Sequence, residues 1–372
     1  MPRVDLVMES DIIRSPRVMQ IEGLFDVPAS EKSIVRITGD LLIDDHPWQV
    51  GLIFGPSGSG KSSVARYLWA EQMSARFEWA RNRSLIDAFP RECSIKDITA
   101  ALTAVGFGAP PSWLRPFHLL STGEQFRADV ARRMLSDESP IVIDEFTSVV
   151  DRQVARVGSY AIQKAIRRTS RQFVAVSCHD DIIDWLQPDW TFRPDSGEFT
   201  WRCLRPRPTV ELVVYPVGRS AWSLFRRHHY LSADLSKSAH CFGGFIDDRL
   251  VAFTSYLHFP HPKVNDIKMG HRLVVLPDYQ GIGIGGRLDD WLGQYLHEAG
   301  FRYHNTISSP AMIRFYVKSP RWRLLHSGLM SVGSDRATSR NSVSMRTRHR
   351  RYSASRQTAS FAYVPLVMEG MA

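Results

Sequence analysis

One loop limits this chain more than any other feature. Gly55-Pro56-Ser57-Gly58-Ser59-Gly60-Lys61-Ser62, with Ser63 behind it, follows directly on the apolar run VGLIF at positions 50–54. The spacing satisfies GxxxxGK[ST], in which glycines let successive backbone N–H groups turn onto an anion. A helix beginning at Lys61 adds its own unpaired N–H groups and its dipole. Such a loop needs a buried strand before it and a helix after it, which commits the region to an α/β sheet. Val64, Leu68 and Trp69 are spaced to form the inward face of that helix. In this context Lys61 reaches the β- and γ-phosphates of a nucleotide and the Ser62 hydroxyl ligates Mg²⁺.

Downstream, Ile141-Val142-Ile143-Asp144-Glu145 ends an apolar run on two carboxylates. Asp144 is placed to hold Mg²⁺ and Glu145 to polarise an attacking water. Periodicity predicts helices over 123–135 and 152–168 and strands over 140–143 and 172–177, an alternation that implies a largely parallel sheet. The first fifty residues alternate apolar and polar positions at 21–27 and 33–43, which predicts antiparallel strands there.

At 372 residues the chain exceeds one comfortable core, and two domains are expected. The stretch 202–208, RCLRPRP, reads as a linker, which gives domains at 1–206 and 207–372. No apolar run is long enough for a membrane span and the N-terminal residues lack a signal-peptide core, so a cytoplasmic protein without a membrane-subunit partner is expected. Cys93, Cys178, Cys203 and Cys241 form no CxxC pair, so reduced thiols are expected. Net charge is +9, and residues 318–356 hold ten Lys or Arg against one acid, Asp335. Such a stripe suits a polyanion, nucleic acid or cofactor phosphate, and it equally suits a solvated segment.

Beyond the loop and the carboxylate pair, Leu120-Ser121-Thr122-Gly123-Glu124-Gln125 resembles the signature of the ABC ATPase superfamily. Ser148-Val149-Val150-Asp151 resembles its D-loop, and His179, after an apolar strand, its switch histidine. The resemblance runs over roughly residues 20–200. It implies ATP and Mg²⁺ as ligands, Glu145 and His179 as catalytic residues, and a head-to-tail homodimer sandwiching two ATP molecules. Ser121, Gly123 and Glu124 would then meet the partner's nucleotide. Two departures stand out: only about sixty residues separate Lys61 from Ser121, and no glutamine follows the strand expected near Leu85. Asp87 is the acidic residue left near that point. Reduction of this subdomain weakens a transporter reading.

In the second half, strands are expected at 210–215, 241–245, 250–256 and 271–276, with an amphipathic helix over 284–299. The turn between the last strand and that helix carries Gln280, Gly281, Ile282, Gly283, Ile284, Gly285 and Gly286. The string HRLVVLPDYQGIGIGGRL resembles motif A of the GNAT acyltransferases, and the likeness covers roughly residues 210–325. It implies a GNAT α/β domain with a mainly antiparallel sheet. The loop would hold the acetyl-CoA pyrophosphate, the backbone of Leu273, Val274 and Val275 would line its pantetheine arm, and Tyr316 would be the general acid. An aromatic residue at that position is equally a core residue. Arg226, Arg227, His228, His229, Tyr230, His240, Cys241, His258 and His261 are open to acceptor binding, proton removal, metal binding or packing. Taken whole, the chain resembles an ABC-type ATPase fused to an acetyltransferase, with nucleic acid as one acceptor class, and with a mechanical nucleic-acid-associated ATPase carrying a non-catalytic GNAT module, or a transporter ATPase with an accessory domain, as the rivals.

Overall fold

The chain opens on β1 (Arg3–Asp11), α1 (Pro16–Phe25) and β2 (Lys32–Asp40). The helix replaces the strand expected over 21–27, and its physical cause is the start of the segment. Ser15 Oγ accepts from the Val18 N–H and Pro16 occupies the first turn, which together nucleate a helix. Asp26, in the left-handed region at φ 52°, closes it. The two strands pair antiparallel from Arg3↔Asp40 to Asp11↔Lys32. The computed structural model describes residues 3–74, 77–137, 139–201, 209–229, 234–261, 264–330 and 356–365. The expected linker at 202–208, Cys203, Tyr230 and most of the basic stretch lie outside these residues. Contacts divide the chain into two units, Met1–Gly108 with Trp113–Thr209, and Ala109–Ser112 with Val210–Ala372.

After β2, the first part of the chain contains β3 (Val50–Phe54), α2 (Lys61–Leu68), α3 (Ala70–Ser74), α4 (Ile95–Ala104), α5 (Pro110–Trp113), α6 (Thr122–Met134), β4 (Ile141–Ile143), α7 (Arg152–Ile166), β5 (Phe173–Ser177), α8 (Ile183–Leu186), β6 (Trp190–Arg193) and β7 (Glu198–Trp201). The sheet order is β4-β5-β3-β6-β7, parallel throughout except for the β6–β7 hairpin. Its central strands are unbroken apolar runs because helices cover both faces. Leu52 packs with Ala128 of α6 and Ile162 of α7, while Ile53 packs with Val64 of α2. Each such side chain, fully buried, contributes about 1.5–3 kcal/mol. The foot of β3 is tied by Asp189, which accepts from the Gln49 and Val50 N–H groups at 2.9 and 3.0 Å and from Arg167 Nη2 at 2.9 Å. The strand expected near Leu85 is absent; Ile86–Ala88 is a single 3-10 turn. Ser84 donates to Asp87 at 2.7 Å there and supports the turn.

The second part contains β8 (Val213–Pro216), α9 (Trp222–Phe225), β9 (His240–Ile246), β10 (Arg249–His258), β11 (Ile267–Val275), α10 (Ile284–Glu298), β12 (Arg302–Ile307), α11 (Pro310–Lys318), β13 (Trp322–Met330) and β14 (Arg356–Tyr363). The sheet runs β13-β14-β12-β11-β10-β9-β8. All neighbours are antiparallel except β11 and β12. That parallel pairing is short, from Ile267↔Arg302 to Met269↔His304. Beyond it β11 stays paired to β10 up to Val275↔Ala252, while β12 continues alongside β14. The two strands therefore separate as a V whose vertex lies at Gly270. Leu292 and Leu296 of α10 pack beneath this sheet against Tyr303, Phe361 and Tyr363.

Candidate functional sites

Sheet register gathers the first set of motif residues. Phe54, which leads into the loop, is level with Ser177, which leads to His179, and Ile143, which leads to Asp144, pairs with Ala175 on the other side of β5. The loop, the carboxylate pair and the histidine thus share the C-terminal edge of three adjacent parallel strands, where α/β sheets bind ligands. Gly58 and Gly60 adopt φ 82° and 84°, a region that favours glycine, and a side chain on Gly60 would strike Ile37. Gly60 caps α2 without any side-chain bond, so the first N–H groups of α2 remain available to phosphate oxygens. Lys61 Nζ donates to the Pro56 carbonyl at 2.6 Å, which folds it over the loop.

Ser62 Oγ donates to Asp144 Oδ1 at 2.9 Å, and the same oxygen accepts from the Glu145 N–H at 2.9 Å. A hydroxyl and a carboxylate held together beside a phosphate loop suit Mg²⁺, which takes few protein ligands and completes its shell with phosphate and water. Glu145 is exposed, and its backbone lies in the left-handed region at φ 50°, with Thr147 at 68°. Strain of this kind costs about 1–3 kcal/mol per residue. Ser148 Oγ supports the turn by donating to the Glu145 carbonyl at 2.6 Å. The best-defined cavity, about 280 Å³ and lined in part by Phe54, Arg193 and Trp201, contains none of the motif residues.

Ser121 caps α6: its hydroxyl accepts from the Glu124 N–H at 3.3 Å, and Glu124 Oε2 accepts from the Ser121 N–H at 3.0 Å. Ser121 is exposed, and Gly123 and Glu124 are buried. Glu124 therefore completes a capping box at the start of α6. Asp151, in the segment likened to a D-loop, caps α7 through the Val154 N–H.

In the second unit, the loop Gln280–Gly286 joins the diverging strand β11 to α10. Gly281 and Gly283 adopt φ 90° and 98°, and Gly283 caps α10 with no side-chain bond, leaving its first N–H groups for an anion. Gln280 Nε2 donates to the Val275 carbonyl at 2.8 Å and so fastens the loop to the end of β11. Gly286 serves packing, because the Phe315 ring of α11 lies 2.6 Å from where its Cβ would be and the two helices close on each other there. Ile284 is likewise buried, and only its backbone is placed for a ligand. Beyond Met269, over the stretch that carries Leu273, Val274 and Val275, no described strand pairs with β11 on the side facing away from β10. An extended edge next to free helix N–H groups fits a long polar arm ending in a pyrophosphate.

Tyr316 lies in the core of the second unit. It has no exposed surface, its ring stacks on Trp322 at 4.1 Å, and its hydroxyl accepts from Asn305 Nδ2 at 3.1 Å. As it stands the side chain is enclosed in the core, which is the packing alternative. Asn305 also donates to Asp289 Oδ2 at 2.8 Å, and Tyr303 donates to Asp289 Oδ1 at 2.7 Å. Burial lifts the Asp289 carboxyl to about 7, against the opposing effect of these two donors. Sequence reading missed this network, although an acid beside Leu288 on the apolar stripe of α10 was a visible signal.

The acceptor side is drawn together partly by a bulge. Ser255 pairs with Arg272 and Tyr256 with Gly270, so His271 is the extra residue of β11. Burial lowers His271 to about 4, with Arg272 adding to the effect, and lowers His229 to about 4, with Arg272 and His271 adding to it. Both rings are neutral at physiological pH. His271 was read only as the start of a strand, and no periodicity in the sequence announces a bulge. Ser236 N–H donates to His271 Nε2 at 3.1 Å. His240 stacks on Tyr256 at 4.8 Å, Cys241 is buried, and His258 and His261 are exposed. Among the described residues no group of three or more His, Cys, Asp or Glu is arranged to hold a metal.

The two folds define an α/β protein that combines a phosphate-loop sheet with a splayed acyltransferase-type sheet. Residues 180–319 match the model of the Acetyltransferase (GNAT) family, so the chain carries a GNAT domain. The match begins before the second unit, between β5 and α8; the GNAT-type sheet itself starts at β8. No curated protein matches the sequence. Similar solved structures include a bacterial Atm1-family ABC exporter with ATP bound, 17% identical over 44% of this chain at TM-score 0.33. This chain spans 34% of the exporter's length. A dimeric ATP-binding cassette in a post-hydrolysis state bound to ADP and Pi is 13% identical, over 45% of this chain and 92% of its own, at TM-score 0.36. The ribosomal-protein-S18-alanine N-acetyltransferase from Escherichia coli is 14% identical, over 44% of this chain and 99% of its own, at TM-score 0.30. Likenesses this distant add nothing to the assignment of individual residues. Among the described residues no helix is long and apolar enough to cross a membrane.

Proposed function

We propose that the first unit binds and hydrolyses ATP with Mg²⁺ as a head-to-tail homodimer and that the second transfers an acetyl group from acetyl-CoA to an amine, with the ATP cycle controlling the transfer. The observation that carries the ATPase reading is the Ser62–Asp144 bond at the mouth of the phosphate loop. Lys61 neutralises phosphate charge, Asp144 and Ser62 hold the metal, Glu145 orients water and His179 approaches the terminal phosphate. Mg²⁺ supplies charge neutralisation between the phosphates.

For acetyl transfer, the support is the V between β11 and β12 beside the loop Gln280–Gly286. The thioester supplies an activated acyl group with a thiolate leaving group. Loop N–H groups and the α10 terminus hold phosphate, and the free edge of β11 orients the arm. In this reading Tyr316 Oη gives its proton to the departing sulfur as the C–S bond breaks. The amine loses one N–H proton as its N–C bond forms, and that proton restores the phenol. The full burial of Tyr316 favours a second reading, in which the GNAT unit only binds and the ATPase does mechanical work.

The test is acetyl transfer from labelled acetyl-CoA into tRNA, duplex DNA, single-stranded DNA and cell-extract protein, with and without ATP, for wild type and Glu145→Gln. Label in one class that changes with ATP and with the substitution supports the coupled enzyme. No label alongside intact ATP turnover supports the binding module.

A further inference from the structure

The network below the vertex of the V has a property that its packing role does not require. Gly270 is the first residue of β11 beyond its pairing with β12. Its missing side chain is replaced from below: Asn305 Oδ1 lies 2.5 Å and Tyr303 Oη 2.8 Å from where its Cβ would be. Asn305, the middle member of the chain Asp289, Asn305, Tyr316, therefore lies directly against the point at which the strands part.

Asn305 contacts both neighbours through the same atom, Nδ2. An amide nitrogen has two N–H bonds and accepts nothing, whereas the amide oxygen accepts two bonds and donates none. Whichever end of the amide faces Asp289 must also face Tyr316. With Asp289 ionised, the nitrogen faces both, Tyr316 Oη accepts, and the phenol proton has no acceptor among the described hydrogen bonds. With Asp289 protonated, its O–H needs an acceptor, the amide reverses, and the oxygen captures the phenol proton as well.

We propose that Asp289 and Asn305 are a positioning pair that sets the direction of the Tyr316 proton, releasing it toward the vertex of the V when Asp289 is ionised and tying it to the Asn305 oxygen when Asp289 is protonated. This rests on the acetyltransferase reading and deepens it by making the donor conditional. The surroundings suit a switch near neutrality. No cation is bonded to Asp289 among the described residues; its partners are neutral Tyr303 and Asn305, and Asp290, next on α10, opposes its ionisation. Asp290 is itself engaged by Trp322 Nε1 at 2.7 Å and faces Arg287 and Arg321. From α11 only Tyr316 joins the network, and Gly270 of β11 brings no charge. The resulting midpoint of about 7 leaves both amide orientations populated at physiological pH.

The consequence can be read without knowing the acyl acceptor. A sulfur atom at the vertex that accepts the Tyr316 proton favours ionised Asp289, so its arrival expels a proton from the carboxyl. Calorimetric titration of the full chain with CoA and with desulfo-CoA, in buffers of different ionisation enthalpy between about pH 6 and 8, reads that proton. The expected result is release of a fraction of a proton on binding CoA, largest near the Asp289 midpoint, and none on binding desulfo-CoA. Asp289→Asn abolishes the release, and so does Tyr316→Phe, which removes one buried oxygen and keeps the ring stack. Equal release with both ligands, or persistent release in either variant, overturns the proposal. Failure of the wild type to bind CoA at any pH overturns the acetyltransferase reading itself.

Discussion

Ser62 donates to Asp144 at 2.9 Å across 82 positions of sequence. The contact exists because β3 and β4 end at the same edge on either side of β5. Two groups suited to one metal are thus held together by strand order. Asp144→Asn is expected to weaken Mg²⁺-dependent nucleotide binding, and Glu145→Gln to leave binding intact while slowing hydrolysis by about 10²–10⁴-fold, the usual contribution of a positioned base. Phosphate release measured beside binding of a fluorescent nucleotide separates the two, and a Glu145→Gln protein that hydrolyses ATP normally removes Glu145 from the mechanism.

Ser121 is exposed at the start of α6 and supplies its cap. Ser121→Arg loses that cap, at about 0.5–2 kcal/mol, and adds bulk where a partner's nucleotide would lie. In a Glu145→Gln background with ATP, light scattering should show a dimer that Ser121→Arg converts to monomer while the fold survives. A dimer that persists would place the subunit contact elsewhere.

Gly283 and Gly286 stand three residues apart and should fail differently. No heavy atom lies within 4 Å of a Cβ on Gly283, so Gly283→Ala costs only its left-handed backbone, about 1–2 kcal/mol, and should reduce CoA affinity by reshaping the loop. Gly286→Ala forces the Phe315 ring to move, and its cost, about 1–3 kcal/mol, should appear in thermal stability first. Melting curves with and without CoA distinguish loop from packing; equal loss of stability and affinity in both variants contradicts the division.

Asp289 also links stability to pH. Its carboxyl is raised in the folded protein from an ordinary 3.8 to about 7. A raised group stabilises the fold fully below its unfolded value, and that contribution is lost as pH rises through the folded one. The shift corresponds to a few kcal/mol. Asp289→Asn cannot ionise, so the stability difference between wild type and variant should move in the variant's favour from about pH 4 to 7 and then level off. Denaturant melts across that range check the sign, and a difference independent of pH would mean that Asp289 is ionised throughout.

Motifs survived into the structure wherever they depended on local geometry. The phosphate loop, the helix after Lys61 and the glycine turn before α10 are each specified by neighbours in sequence, through positive φ and unpaired N–H groups. Expectation failed where a local signal was outweighed by another local signal, as at 21–27, where the Ser15 cap and Pro16 overrode alternation. It failed also where a turn replaced a strand, at Ile86–Ala88.

Local chemistry in the chain was enough to mark the two glycine turns shaped for anions and most of the strands, because the dihedral needs of glycine and the period of apolar residues act over a few positions. Tertiary structure alone decided which side chains meet. Asp144 reaches Ser62 by strand order, His271 is re-aimed by a bulge, and Asp289, Asn305 and Tyr316 come together from a helix, a strand and a second helix. Hydrogen bonds and desolvation depend on distances through space, and burial, by disfavouring the charged form of each group, raises Asp289 and lowers His229 and His271.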